Sequence, residues 1–313
     1  MNQAFRIIFM GTPEFALPAL EALARSRHTV VAVITQPDRA KGRGRKLTAP
    51  PIKVAAERLG LAVIQPITIK TASFAERMQS LTPDLCVVVA FGQILPPSVL
   101  CLPRIGAVNI HASLLPLYRG PAPIQWAIIN GEKTTGVTTM FMDTGLDTGN
   151  ILMSAATEIA PEDTAATLHE RLAHMGADLL LQTLETFASG AVHPIPQDHE
   201  RATYAPLLAK TDGRIHWALS AERIANFVRG MTPWPGAFTF HGQTRLRVLT
   251  AGPLSVETDA TPGTVVQSFP DELRVATGKG LLRVTRIQSS SGKQLPVIEF
   301  LRGYRLPPGS VLT

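Results

Sequence analysis

Cysteine is almost missing from this chain. Two thiols, Cys86 and Cys101, among 313 residues exclude a disulfide framework and a thiolate metal cluster. Both lie in apolar company, which predicts buried free thiols in a reducing compartment. The H-E-x-x-H and C-x-x-C spacings are absent, so no metal is expected. Charged residues are sparse at 17%. Long apolar runs are lacking as well. The longest, near residues 28–34 and 85–91, have strand length, well short of the ~20 residues that cross a bilayer. The opening MNQAFRIIFM meets Gly11, Thr12 and Pro13 with no small-residue cleavage site. It reads as a first buried strand rather than a leader, and a cytoplasmic protein without membrane contact is expected.

What is present suggests two domains. The length exceeds one typical core, and 45% of the residues are hydrophobic. Lys and Arg number 30 against 24 Asp and Glu, a net charge of +6. That excess permits a polyanionic partner, nucleic acid included, without establishing one.

Residues 5–10 predict a strand, residues 14–26 an amphipathic helix, and residues 30–35 a second strand. This is a βαβ unit and implies a parallel sheet. Only Gly11 occupies the first turn, so the G-x-G-x-x-G dinucleotide fingerprint is absent, and nicotinamide or flavin binding is not expected. Residues 36–51 read as a flexible basic loop carrying Arg39, Lys41, Arg43, Arg45 and Lys46. Ligands of open α/β sheets gather outside the strand carboxyl ends, where such a loop can track phosphates. The run DLCVVVAF at 84–91 is the most apolar strand and reads as central. Residues 164–188 predict one long helix. The composition then divides the chain into an α/β domain at 1–189, an extended linker at 190–208 and a small β-barrel at 209–313. Arg245, Arg247, Arg274, Arg283 and Arg286 recur on or beside the barrel strands. Ordinary outward-facing charge explains them as readily as a binding face does.

Asn109 and His111 flank Ile110 at a strand end, so both point to one side. Asp147 sits in the glycine-punctuated turn 143–150, within reach of the loop holding His111. An Asn amide and an imidazole converging on one oxygen make an oxyanion hole, and a neighbouring carboxylate orients the imidazole. Such a site suits attack on a carbonyl by an amine substrate, with no protein nucleophile needed. Asn and His are also ordinary turn residues, and the pair alone does not decide.

The run SLLPLYRG at 113–120, flanked by Asn109-x-His111 and by D-x-G-x-D-x-G at 143–149, resembles the methionyl-tRNA formyltransferase family. That family belongs to the wider 10-formyltetrahydrofolate-dependent formyltransferases. Gly11-Thr12-Pro13, Gln36-Pro37-Asp38, the basic loop, Ala90-Phe91-Gly92 and Thr232-Pro233-Trp234-Pro235 extend the resemblance over essentially the whole chain. Thr232 departs from the more usual Asn.

The resemblance implies a Rossmann-like formyltransferase domain followed by an OB-like barrel. It also implies formyl transfer from 10-formyltetrahydrofolate to the α-amine of methionyl-initiator tRNA, without a metal. Asn109, protonated His111 and Asp147 would be the catalytic trio. Val89, Ala90, Phe91, Gly92, Ile94, Leu95, Ser113, Leu114, Leu115, Pro116 and Asp143 would surround the folate. Arg39, Lys41, Arg43, Arg45 and Lys46, with Arg245 and Arg247 of the barrel, would meet the tRNA. No protein partner is required, and a monomer is expected. Two other readings stand beside this one. A sibling formyltransferase of small amines would need neither the basic loop nor the barrel. A non-catalytic RNA-binding protein would not need the trio.

Overall fold

A computed structural model describes every residue except 1, 2, 42, 43, 45, 269, 271 and 291. The elements run β1 (Arg6–Gly11), α1 (Leu17–Arg25), β2 (Thr29–Ile34), β3 (Arg39–Lys41), β4 (Lys46–Thr48), α2 (Pro51–Arg58), β5 (Val63–Ile64) and α3 (Ala72–Gln79). They continue as β6 (Leu85–Val89), α4 (Pro97–Leu100), β7 (Gly106–His111), α5 (Pro123–Ile129), β8 (Thr134–Phe141), β9 (Ile151–Glu158) and α6 (Ala165–Ser189). The remainder is α7 (Ala221–Gly230), β10 (Phe238–His241), β11 (Thr244–Leu254), β12 (Val265–Gln267), β13 (Leu273–Ala276), β14 (Leu281–Ser289), β15 (Leu295–Pro296) and α8 (Val297–Gly303). Proline stands in the first turn of α1, α2, α4 and α5, where its missing N–H costs no helical bond. The side chains of Thr71 and Ser220 cap α3 and α7.

The chain forms two compact units. The first takes in residues 1–120, 135–157 and 169–204. Its seven-stranded sheet has the order β5-β2-β1-β6-β7-β8-β9. The β1, β2, β5, β6 and β7 pairings are parallel, and β8 runs antiparallel to β7. All five residues of β6 are buried, as a strand covered on both faces requires. From β1 the chain winds one way to β2 and β5, then returns to β6 and β7 on the other side. The carboxyl ends of β1 and β6 therefore mark the switch point where such sheets take their ligands.

The second unit takes in residues 121–134, 158–168 and 205–313. Its antiparallel sheet has the order β10-β11-β14-β13-β12, with β15 on β14. Residues 309–313 pair with both edges. Phe240 and Thr313 exchange N–H···O bonds of 2.8 and 2.9 Å. On the other edge, the Val265 N–H donates to the Ser310 carbonyl and the Leu312 N–H to the Gly263 carbonyl, each at 2.8 Å. This segment curls the sheet round a core that includes Trp217, Ile224, Val228, Leu246, Val275 and Leu282, and it pairs with residues at both the β10 and the β12 edge.

Several local readings differ from the sequence expectation. The basic loop contains a hairpin, with Arg39 opposite Thr48 and Lys41 opposite Lys46. Cys86 is buried but Cys101 is exposed. The short α4 turns Val99 to the core and leaves Cys101, just beyond its last turn, facing outward. The stretch expected as a linker carries the buried Gln197, and residues up to Tyr204 pack with the first unit.

Candidate active site

Strand β7 delivers the central pair. Asn109 lies opposite Met140 and His111 opposite Thr138 on β8, and the pleat turns both side chains to one face. Ile110 points the other way. It lies so near Gly176 of α6 that a Cβ there would crowd its Cγ2. The glycine inside that long helix thus lets α6 approach the sheet, and Asn109 and His111 face away from it. Both are buried, 8% and 6% exposed.

Both ring nitrogens of His111 have protein neighbours. Nε2 lies 2.9 Å from the Tyr118 carbonyl oxygen. A carbonyl only accepts, so Nε2 carries a hydrogen. Nδ1 faces Asp147 Oδ2 at 3.7 Å. Among the described residues no hydrogen-bond partner holds the Asn109 amide, and its N–H groups remain available to a ligand.

Asp147 reaches this position from a turn with its own internal ties. Asp143 Oδ1 accepts from the Gly145 N–H at 2.9 Å and from the Thr148 hydroxyl at 2.6 Å. Gly149 passes so close to the Phe141 carbonyl that no side chain fits there. Asp147 itself has φ +53°, a left-handed conformation that Asp tolerates better than most residues. Its Oδ2 accepts the Gly120 N–H at 2.8 Å. The structure therefore brings together Asn109, His111 and Asp147, which lie on separate stretches of sequence.

Three further residues at this site escaped the sequence reading. Thr138, fully buried, donates to the Ser113 carbonyl at 2.7 Å and accepts the Leu115 N–H at 3.2 Å. It fixes the turn after β7. Arg119, 2% exposed, donates to Gln197 Oε1 through Nε at 3.1 Å and Nη2 at 2.7 Å. Gln197 Nε2 donates in turn to the carbonyls of Asp147 at 2.9 Å and Gly149 at 2.7 Å. Arg119 carried a sequence signal, lying inside the 113–120 run, whereas Gln197 lies in an aperiodic stretch and carried none.

The residues expected around a folate divide by exposure. Val89, Phe91, Leu95, Ser113 and Leu115 are buried and can only support a ligand from beneath. Ser113 donates its hydroxyl to the Leu117 carbonyl and so builds the turn. Ala90 and Gly92 are exposed, with φ +47° and +84°. Ile94 is 78% exposed, Leu114 and Pro116 are half-buried, and Asp143 is exposed. Thr12 donates to the Phe91 carbonyl at 2.9 Å, tying the loops after β1 and β6 together at the switch point. Apolar side chains beside exposed backbone at Ala90 and Gly92 combine the packing surface and the hydrogen-bonding groups that a flat heteroaromatic ring needs.

The expected basic residues divide as well. Arg39 is exposed and donates to Gln36 Oε1 at 2.9 Å. At the base of the hairpin, Asp38 accepts from Gln65 at 2.7 Å and from Lys53 at 2.8 Å. The Gln65 amide, then Lys53, holds the Asp38 carboxyl below the usual carboxylate range. Lys41 and Lys46 belong to β3 and β4, while Arg43 and Arg45 fall outside the described residues. In the second unit Arg245 lies over the Phe238 ring at 3.7 Å, and Arg247 donates to the Pro233 carbonyl. Both guanidinium groups are engaged internally. Arg283 and Arg286 are exposed instead.

Burial pushes the Cys86 thiol up to about 12, so it is no thiolate nucleophile at neutral pH. Among the described residues no three His, Cys, Asp or Glu side chains are grouped to hold a metal ion, and no helix is long and apolar enough to cross a membrane.

Residues 5–184 match the Formyl transferase family, and residues 207–305 match Formyl transferase, C-terminal domain. The methionyl-tRNA formyltransferase of Acetivibrio thermocellus is 48% identical over 308 residues, 98% of this chain and 99% of that protein. The enzyme of the same name from Citrifermentans bemidjiense is 48% identical over 307 residues, 98% of this chain and 96% of its own. Among solved structures, an N-formyltransferase of Helicobacter canadensis superposes with a TM-score of 0.68 at 18% identity, covering 93% of this chain and 99% of that one. At that identity the superposition speaks for the fold alone.

Proposed function

The chain belongs to the methionyl-tRNA formyltransferase family, and on that premise we propose that it transfers the formyl group of 10-formyltetrahydrofolate to the α-amine of methionyl-initiator tRNA. The product is N-formylmethionyl-tRNA, used to begin translation. The observation that carries the reading is the placement of Asn109 and His111 on one face of the end of β7, with His111 Nδ1 turned to Asp147 at 3.7 Å.

The amine attacks the formyl carbon, the carbonyl oxygen gains charge, and the bond to the folate nitrogen breaks as that nitrogen takes up a proton. The Asn109 amide N–H stabilises the oxygen, and His111, whose Nε2–H is held by the Tyr118 carbonyl, would do so through Nδ1–H in its protonated form. Donors of this kind contribute about 2.7–4 kcal/mol each in a preorganised site. Asp147 orients His111 and accepts the proton that the amine must lose, directly or through one water. Burial of the pair excludes bulk water, which favours transfer to the amine over hydrolysis. The folate would lie across the loops after β6 and β7, with Ile94, Leu114 and Pro116 against its ring and backbone groups near Ala90 and Gly92 along its edge.

The basic hairpin and the curled sheet of the second unit support a tRNA substrate rather than a small amine. The hairpin stands at the carboxyl end of β2, on the ligand side of the sheet. Arg39, Lys41, Arg43, Arg45 and Lys46 would track acceptor-stem phosphates, with Arg245 and Arg247 contributing from the second unit. The enzyme acts as a cytoplasmic monomer without a protein partner. Incubation with 10-formyltetrahydrofolate and charged initiator tRNA, with charged elongator tRNA as the control, tests the proposal. Formylmethionyl product from the initiator alone is expected. No product, or formylation of free small amines, would sink it.

A further inference from the structure

We infer that Arg119 and Gln197 are positioning residues that set the place of Asp147, and that they, together with the Gly120 N–H, keep the 143–150 turn aligned with His111. The inference rests on the role given to Asp147 above.

Arg119 is a fully buried cation, and among the described residues no carboxylate lies within ion-pair distance of it. Its contacts are Gln197 Oε1 and, from Nη2, His199 Nδ1 at 3.2 Å. An uncompensated buried charge is costly to keep, which calls for a role beyond filling space. Its chemistry supplies one. A guanidinium has only donors, so the amide of Gln197 has one permitted orientation, with Oε1 toward Arg119. Both Nε2 hydrogens then point the opposite way, where the Asp147 and Gly149 carbonyls accept them at 2.9 and 2.7 Å. Those carbonyls can only accept. The side chain between a guanidinium and two carbonyls must therefore offer one acceptor and two donors. A carboxamide meets that demand, and leucine, glutamate and lysine do not.

The two bonds fall where the turn most needs them. Asp147 has φ +53°, and a residue in this region persists when its surroundings over-determine it. Gln197 holds the main chain of Asp147, and the Gly120 N–H holds its carboxylate at 2.8 Å. Arg119 lies between two residues that contact the trio. Tyr118 accepts from His111, and Gly120 donates to Asp147. This three-residue segment is tied in turn to Thr203, whose hydroxyl accepts the Tyr118 N–H and whose carbonyl accepts the Arg119 N–H, both at 2.8 Å. Residues 197–203 thus hold the site from outside its own strands, without touching the reacting atoms.

A double-mutant cycle separates positioning from a general contribution to folding. Single-turnover formylation of methionyl-initiator tRNA is measured for the unsubstituted protein, Gln197→Leu, Asp147→Asn and the double variant. Displacement of a catalytic group by about 1 Å costs about 100-fold, so Gln197→Leu is expected to lose about 10-fold to 100-fold in rate. In the Asp147→Asn background the same change should cost no more than about 3-fold, and the KM for tRNA should stay within about 2-fold. Gln197→Glu is the second variant. It keeps a partner for Arg119 but has no hydrogens for the two carbonyls, so it should reproduce the pattern if Gln197→Leu does not fold. Equal losses in both backgrounds, or full activity of either variant, would overturn the inference. Absence of product from the unsubstituted protein would overturn the proposed activity instead.

Discussion

The 143–150 turn and the 39–48 hairpin both leave strands of the same sheet, but the described bonds that hold them are of different kinds. The turn is tied at nearly every residue. Asp143 binds its interior, Gly149 abuts Phe141, Gln197 holds two carbonyls and Gly120 holds the Asp147 carboxylate. Among the described residues, the hairpin is held by its strand ladder from Arg39–Thr48 to Lys41–Lys46 and by side-chain bonds at its base, where Asp38 bonds to Lys53 and Gln65 and Gln36 bonds to Arg39. The difference matches two kinds of work. Formyl transfer depends on atoms placed within a fraction of an ångström. Attraction to a phosphate backbone depends on charge delivered within a Debye length, about 8 Å at physiological salt.

If this division holds, damage to the two regions should fall on different kinetic constants. The largest effect is expected at the oxyanion donors. His111→Ala and Asn109→Ala should each lower kcat by about 100-fold to 1000-fold, with tRNA affinity, read by filter binding, unchanged within about 2-fold. A comparable loss of affinity would merge the two regions into one. Next comes the hairpin. Replacing Arg39, Lys41, Arg43, Arg45 and Lys46 together by serine should raise the KM for tRNA by about 10-fold or more at physiological salt. It should also flatten the dependence of log affinity on log salt by about 0.7–0.9 for each phosphate no longer neutralised. The value of kcat at saturating tRNA should stay within about 3-fold, and a collapse of kcat would break the comparison. Smaller again is Asp38→Asn, which loosens the hairpin base and should raise the same KM by a few-fold, as a loosened surface ion pair of modest energy would.

The smallest expected effect is one of pH. Asp38 has a depressed folded-state pKa, first through Gln65 and then through Lys53. Its contribution to stability is therefore present above the ordinary value of 3.8 and is lost only as pH falls below it. Between about pH 5 and pH 8, where the carboxylate of the usual range is already ionised, the tRNA KM should show no step attributable to Asp38. A step in that window that Asp38→Asn removes would contradict the assignment.

The sequence made some of this legible through period and punctuation. The βαβ start, the buried β6 and the shared face of Asn109 and His111 all follow from strand alternation. The remainder had no local signal. Gln197 lies 78 positions from Arg119 and 50 from Asp147, in a stretch whose prolines and polar residues suggested only a linker. Thr138 sits inside a β-branched run, where a threonine that packs and one that orders a turn look alike. The hairpin was hidden because its alternating residues are charged rather than apolar. Arg245 and Arg247 read as exposed charge, although a ring and a carbonyl within their own unit engage them. Cys101 looked buried because its neighbours are apolar, but a helix of four residues decided which of them turned inward.

The turn, the Arg119–Gln197 pair and His111 all converge on Asp147, which makes it the residue to test most directly. Single-turnover formylation by Asp147→Asn, at tRNA and folate concentrations saturating for the unsubstituted protein, isolates the chemical step from substrate capture. The expected rate is lower by about 100-fold or more, with tRNA and folate affinities within about 2-fold of the unsubstituted protein. A rate within about 3-fold of it would show that the tightly held turn does not serve the chemistry.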